Sequence, residues 1–323
     1  MASNLWLPIA NGEAILKTPQ LTAATDYFKD LITNSHRSML LYAPPKFGVS
    51  TVCRHIAAEM RLAASSVVIA AKAEHVEDMR PSEQIDTLWE SLIPPNSSIK
   101  QYTRTRRDVL LQLIEVEANR LQTRYVIFII DQSEHVTIRQ WHALKLLKEE
   151  LRHIGNLNTF FLVAGHDALI SMPRRRRDAI PPSIANEFMS FPRRLAGVTP
   201  EGIGGVLACI DSEAFPAAGG HTYTSHFCPS LWQRGLRISD FTATFAIQFT
   251  RILADAGTSQ EIGADFVIAA ARRFLLAAEP TSTGGKAALT ALAVASVDRC
   301  GLRESLQLAA RLAALTTLPT HRT

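Results

Sequence analysis

The stretch Ala43-Pro44-Pro45-Lys46-Phe47-Gly48-Val49-Ser50-Thr51 has the position, and half the chemistry, of a phosphate-binding loop. The apolar run Met39-Leu40-Leu41-Tyr42 leads into it, and a helical pattern from Val52 to Leu62 leads out. The phosphate-loop pattern is G-x-x-x-x-G-K-[ST], in which the lysine carries positive charge to the β- and γ-phosphates. Here Ala43 stands at the first glycine, Gly48 keeps the second, Val49 replaces the lysine, and Ser50, followed by Thr51, keeps the hydroxyl. Valine cannot supply the missing charge. Taken alone, Gly48-x-Ser50 also fits an ordinary strand-to-helix turn.

A second site raises the first. The unbroken apolar run Tyr125-Val126-Ile127-Phe128-Ile129-Ile130 ends in Asp131, the place from which a carboxylate reaches Mg²⁺. ATPases of this type usually follow that aspartate with a glutamate that orients or deprotonates water; this chain has Gln132, which cannot accept a proton. Glu134 lies two residues on, and Lys46 is a candidate substitute cation. Backbone N–H groups at the helix start still favour an anion. If nucleotide binds, ATP with Mg²⁺ is the expected cofactor, with Ser50 and Asp131 as the metal ligands.

A third group is basic: Arg174-Arg175-Arg176-Arg177 after Pro173, Arg193-Arg194, and Arg104, Arg106 and Arg107 at a helix start. Such arginines suit salt-sensitive, sequence-independent contact with DNA phosphates, or a solvated charged loop. No aromatic residue interleaves them, so stacking on single strands has no support. Three other patterns read as structure. Thr283-Gly284-Gly285-Lys286 has Pro280 where a first glycine would stand, and reads as a linker before a helix. His221, His226 and Cys228 show no fourth metal ligand. Cys53 and His55, two apart on a helix, do not face each other.

These residues need a frame. Thr18-Pro19 starts a helix expected to run to Thr33. Met39–Tyr42, Ser66–Ala71, Tyr125–Ile130 and Phe160–Gly165 read as buried strands; Glu83–Leu92, Arg104–Leu121 and Thr137–Ile154 read as the helices between, the last ended by Gly155. Alternation of this kind implies a parallel sheet covered on both faces. After Thr199-Pro200 the chain reads as helix alone, over Ile203–Cys209, Ser239–Ala256, Ser259–Ala278, Lys286–Arg299 and Leu302–Ala314. The expected organisation is an α/β domain over 1–195 and a helical domain over 196–323. The site reading requires strand 39–42 to lie beside strand 125–130, with Gly48 and Asp131 converging on one crevice.

Composition sets the bounds. The chain has 323 residues, 47% of them hydrophobic, enough for a sizeable core. A net charge of +4 is compatible with nucleic acid without pointing to it. The four scattered cysteines read as reduced thiols of a cytoplasmic protein. No basic segment followed by an apolar core opens the chain, and no window approaches about 18 uninterrupted apolar residues, so neither signal peptide nor membrane span is expected.

Strand, loop and helix at 39–62, the segment Ile129-Ile130-Asp131-Gln132-Ser133-Glu134-His135, and Leu146–Leu151 leading to Leu162-Val163-Ala164-Gly165-His166-Asp167-Ala168-Leu169 resemble the AAA+ ATPases of DNA transposition, the TniB and TnsC type. The resemblance covers roughly residues 20–215. It implies an AAA+-like, three-layer αβα P-loop domain with a C-terminal helical lid. It also implies double-stranded DNA, a transposase and target-selection proteins as partners, and assembly into homo-oligomers or with an active paralogue. The family's Asn-Arg-Phe segment corresponds to Asn186-Glu187-Phe188, so Glu187 replaces an arginine that would project toward a neighbour's nucleotide. His166 replaces a small hydroxyl residue at the end of the sensor strand. Besides His166, four functional positions depart from the pattern: Ala43, Val49, Gln132 and Glu187. An arginine in trans is worth about 10³–10⁵ in rate, so the expectation is an accessory protein with no catalytic residue of its own. An active ATPase remodelled around Lys46 and Glu134, or a scaffold that does not bind DNA, are the alternatives.

Overall fold

A computed structural model describes residues 15–94, 105–167, 180–214, 220–258, 261–281 and 284–316. Arg104 and Arg174–Arg177 lie outside the described residues. The chain divides into two compact units, one spanning 23–195 and the other joining the segment ending at Thr22 to residues from Ala196 onward.

In order, the elements are α1 (Pro19–Thr33), β1 (Ser38–Ala43), α2 (Val49–Ala63), β2 (Val67–Lys72), α3 (Pro81–Leu92), α4 (Arg106–Arg120), β3 (Tyr125–Asp131), a 3₁₀ turn (Ser133–His135), α5 (Ile138–Gly155), β4 (Asn158–His166), α6 (Pro182–Phe188) and β5 (Pro192–Arg194). The strands form one sheet in the order β2-β3-β4-β1-β5, every pair parallel. Strands β3 and β4 are apolar at every central position because helices cover both faces, which leaves no solvent face for polar residues to occupy. Phe128 stacks on Phe161 at 4.9 Å, Phe161 meets Phe188 edge-on at 4.7 Å, and Trp141 closes on Phe188 at 5.1 Å. This aromatic chain joins the sheet to α5 and α6.

Local signals explain the helix ends. The Thr18 hydroxyl accepts from the Leu21 N–H, as the Thr-Pro start predicts. Thr137 and Gln140 form a capping box at the start of α5, and the Gln140 amide donates to the Gln84 carbonyl at 2.6 Å, tying α5 to α3. Gly155 is the last residue of α5, not its terminator. Asn156 takes the left-handed conformation at φ 49°, and the Leu157 N–H bonds the Leu151 carbonyl. Asparagine tolerates that conformation, so the stop lies one residue later than the glycine suggests. The sequence also gives no sign of β5, a three-residue exposed strand that begins with proline.

The second unit is helical: α7 (Ile203–Ser212), α8 (Tyr223–Phe227), α9 (Pro229–Gln233), a 3₁₀ turn (Ile238–Phe241), α10 (Thr242–Ala256), α11 (Ala264–Thr281), α12 (Gly285–Asp298) and α13 (Leu302–Thr316). Phe241, Phe245, Phe249 and Phe274 lie at its core, with Leu16 from the amino-terminal segment. Residues 15–22 therefore belong with the helices, whereas the sequence grouped them with the sheet; the core partners of Leu16 lie nearly two hundred positions or more away. The Asp211 carboxylate accepts from the Ile238 and Ser239 N–H groups and from the Thr224 hydroxyl, holding three segments together. Among the described residues no helix is long and apolar enough to cross a membrane.

Candidate functional site

In a parallel sheet all strands end at one edge. The loop 43–49, the turn 131–135 and the end of β4 at His166 therefore share the carboxyl edge. Strand 39–42 does not lie beside strand 125–130: β4 sits between them, with Ala43 level with His166 on one side and Ile130 level with Val163 on the other. The expected adjacency fails because strand order follows how the crossover helices pack, which the apolar runs do not encode; the adjacency requirement was too strict, since in this parallel sheet the loop after β1 and Asp131 at the end of β3 still open on the same edge, and the site reading rests on that shared edge alone.

The loop between β1 and α2 is strained. Lys46 at φ 71° and Gly48 at φ 97° are both left-handed. For lysine that costs roughly 1–2 kcal/mol, so the surrounding β1 and α2 impose the conformation. Val49 is the first residue of α2 and is 8% exposed. The position that would carry a phosphate-reaching ammonium instead packs into the protein. Ser50 and Lys46 are exposed, and the Thr51 hydroxyl accepts from Arg54 at 3.2 Å.

At the end of β3, an Asp131 carboxylate oxygen accepts from the Gln132 N–H at 2.9 Å. Gln132 is itself left-handed at φ 56°, where it leads into the 3₁₀ turn. The Ser133 hydroxyl donates to the Ala164 carbonyl at 2.9 Å and anchors that turn to β4. Glu134 is nearly buried and meets His166 twice: one oxygen accepts from the His166 N–H at 3.2 Å, and the other lies 3.4 Å from its Nε2. Glu134 is thus engaged by β4. Asp131 faces α2 and, with Cys53, Arg54 and Lys72, lines a cavity of about 290 Å³ between α2 and strands β2 and β3. Gly48, Val49 and Ser50 lie outside its lining. Burial first, and the Asp131 carboxylate second, push the Cys53 thiol well above its ordinary range.

Glu187 does not project outward as the arginine it replaces would. Lys148 donates to it at 2.7 Å and Lys145 lies 3.6 Å away, both from α5, so it acts inside the α/β unit. Arg107 is ion-paired with Glu150, and Arg106 with Glu90 at 2.6 Å, so both serve to pin α4. Arg193 stacks over the Tyr27 ring at 4.8 Å, and Arg194 over Phe47 of the loop at 5.8 Å. The other patterns settle as structure. The Cys228 thiol, pushed up to about 12 mainly by burial, donates to the Leu275 carbonyl. His55 lies 3.6 Å from Glu59, one turn along α2, and Gly285 opens α12 at φ 75°.

No family model matches the chain. No curated protein matches it either. Solved structures do. The ORC2 protein of Aeropyrum pernix, determined as ADPNP–ADP complexes, superposes with a TM-score of 0.59 at 14% identity, covering 91% of this chain and 71% of that one. Cdc6p from Pyrobaculum aerophilum gives 0.52 at 14%, covering 85% and 66%. Drosophila ORC bound to DNA gives 0.50 at 14%, covering 97% and 71%. The fold is AAA+. It comprises the α/β P-loop domain and a helical C-terminal region.

The sequence missed one group of residues. His36 and Arg37, just before β1, and Lys148 and Arg152, late in α5, line a cleft at the amino edge of the sheet. Arg152 reads in sequence as a cation complementing the end of a helix, and nothing there links it to Arg37.

Proposed function

We propose that this chain works by assembly and contact, not by turning over ATP, as a TniB/TnsC-like accessory protein of DNA transposition that links target DNA and a targeting factor to a transposase. The observation that carries the first half is Val49: at the start of the helix after the loop, an apolar side chain packs into the protein where the phosphate-reaching cation belongs. The engagement of Glu134 by His166 and of Glu187 by Lys148 supports it, since neither is free for water activation or for a neighbour's nucleotide. The motif resemblance carries the transposition half. That a structure of the same fold was solved with Drosophila ORC bound to DNA is in keeping with a DNA partner. Arg174–Arg177 and Arg104 are the proposed backbone contacts, and the helical unit is the proposed lid. Ala43, Lys46, Gly48, Ser50, Thr51, Asp131, Gln132 and His166 are the remnant nucleotide site, with Ser50 and Asp131 toward Mg²⁺ if nucleotide is retained.

The test combines turnover with DNA retention. Purified protein is expected to release no phosphate from ATP above a buffer control, with duplex DNA present or absent. Turnover abolished by Asp131→Ala would overturn the reading in favour of an ATPase remodelled around Lys46 and Glu134. Duplex is expected to be retained with a salt slope that falls by about 3–4 when Arg174–Arg177 become alanine, close to one unit per phosphate contact. No retention even at low salt, alongside a stable protein partner, would favour the scaffold.

A further inference from the structure

The amino edge of the sheet carries a second candidate site, independent of the proposed role in transposition. Two cavities of about 320 and 480 Å³ open there and share Ser35, His36, Arg37 and Lys148, so they form one continuous cleft. Arg152 and Asn158 line the first, and Asn186 and Glu187 the second. Arg37, Lys148 and Arg152 thus face a single carboxylate, and Glu187 is already held by Lys148 at 2.7 Å. Among the described residues neither Arg37 nor Arg152 has an ion-pair partner, whereas Arg106 and Arg107 on the neighbouring helix α4 are both paired. Unpaired guanidinium groups around a concavity create a positive field that low-dielectric walls concentrate. Buried Leu157 and Thr159 supply part of those walls. Guanidinium forks match phosphate oxygens in pairs, and the Asn158 and Asn186 side-chain amides can add further donors.

We propose that this cleft is a phosphate-binding site, separate from the loop at 43–51, that takes the phosphates of a small phosphorylated ligand or of a nucleic-acid backbone. Lys148 is the adjustable member: an incoming phosphate competes with Glu187 for its ammonium.

The experiment titrates inorganic tripolyphosphate, and in a second arm duplex DNA of arbitrary sequence, into the full chain. Arg37→Ala and Arg152→Ala are each expected to weaken tripolyphosphate binding about tenfold, the loss of one charge-assisted contact. Glu187→Gln is expected to strengthen it several-fold by freeing Lys148. Arg80→Ala, which removes an exposed arginine outside the cleft, is expected to leave it unchanged. Both arginines are exposed, so thermal midpoints close to that of the parent protein are expected and certify the fold. If the arginine variants lower duplex retention as well, the source is a nucleic acid; if they lower tripolyphosphate binding alone, it is a small phosphorylated ligand. The proposal is overturned if tripolyphosphate fails to bind, if the arginine variants bind it as well as the parent, or if Arg80→Ala weakens binding as much as they do.

Discussion

The two edges of the sheet have opposite characters. At the carboxyl edge, where the loop at 43–51 lies, Val49 is packed away, Asp131 and Glu134 are acidic, and Glu134 is tied to His166. Lys46 is present but exposed on a strained turn. At the amino edge, Arg37 and Arg152 line a cleft and have no ion-pair partner among the described residues. Loop shape and loop chemistry are therefore separable. Shape is maintained by the strand and helix on either side, which the core holds regardless of what the loop binds. Charge can leave one edge and gather at another with little effect on stability, because exposed ion pairs contribute only about 0–1 kcal/mol.

That contrast can be broken at several points. The largest effect is expected from Phe188→Ala. The ring is fully buried against Phe161 and Trp141, and its loss should cost about 3–5 kcal/mol in urea unfolding. It should also loosen the cleft wall that Asn186 and Glu187 provide; a cost below about 1 kcal/mol would show that α6 does not anchor that edge. Next comes Lys148→Met, which leaves Glu187, 18% exposed, with only the more distant Lys145. A loss near 2 kcal/mol is expected, most of it recovered when Glu187→Gln is added, because the penalty is the orphaned carboxylate. Full additivity of the two changes would remove the coupling.

At the carboxyl edge, Gly48→Ala should cost about 1–2 kcal/mol through its left-handed backbone alone, since a methyl group there meets nothing within 4 Å. Lys46→Gly should move stability the other way, by up to about 1 kcal/mol. Equal effects from both changes would mean the loop is not strained. The smallest effect concerns Cys53. Its thiol is held above the ordinary range, so it stays protonated as pH rises to 9, and iodoacetamide should not label it in the native state at pH 8.5. Rapid labelling there would place Cys53 outside the closed interior of this edge.

Much of the frame is legible in the residues. The apolar runs at 39–42, 125–130 and 160–165 predict buried strands because only parallel strands covered on both faces can be apolar throughout. Thr18-Pro19 and the stripe along 137–154 place helix ends and faces by local hydrogen bonding and by the helical period. The short strand at 192–194 was not legible, since two exposed arginines after a proline carry no strand signal and only the free edge of β1 recruits them. At the site, the residues absent from the phosphate loop could be named from their types alone. What replaced their interactions could not: Glu134 with His166, Glu187 with Lys148 and Arg107 with Glu150 each join side chains at least 32 positions apart.

The sequence by itself determined the element types, the parallel sheet and the loss of the phosphate-loop cation, because these depend on residue chemistry and on spacings of a few positions. Only the tertiary structure decided that β4 separates β1 from β3, that residues 15–22 join the helical unit, and that Arg37, Lys148 and Arg152 line one cleft. Strand order and long-range charge neighbours follow from how whole helices pack on the sheet, a sum of many weak contacts that no short segment records.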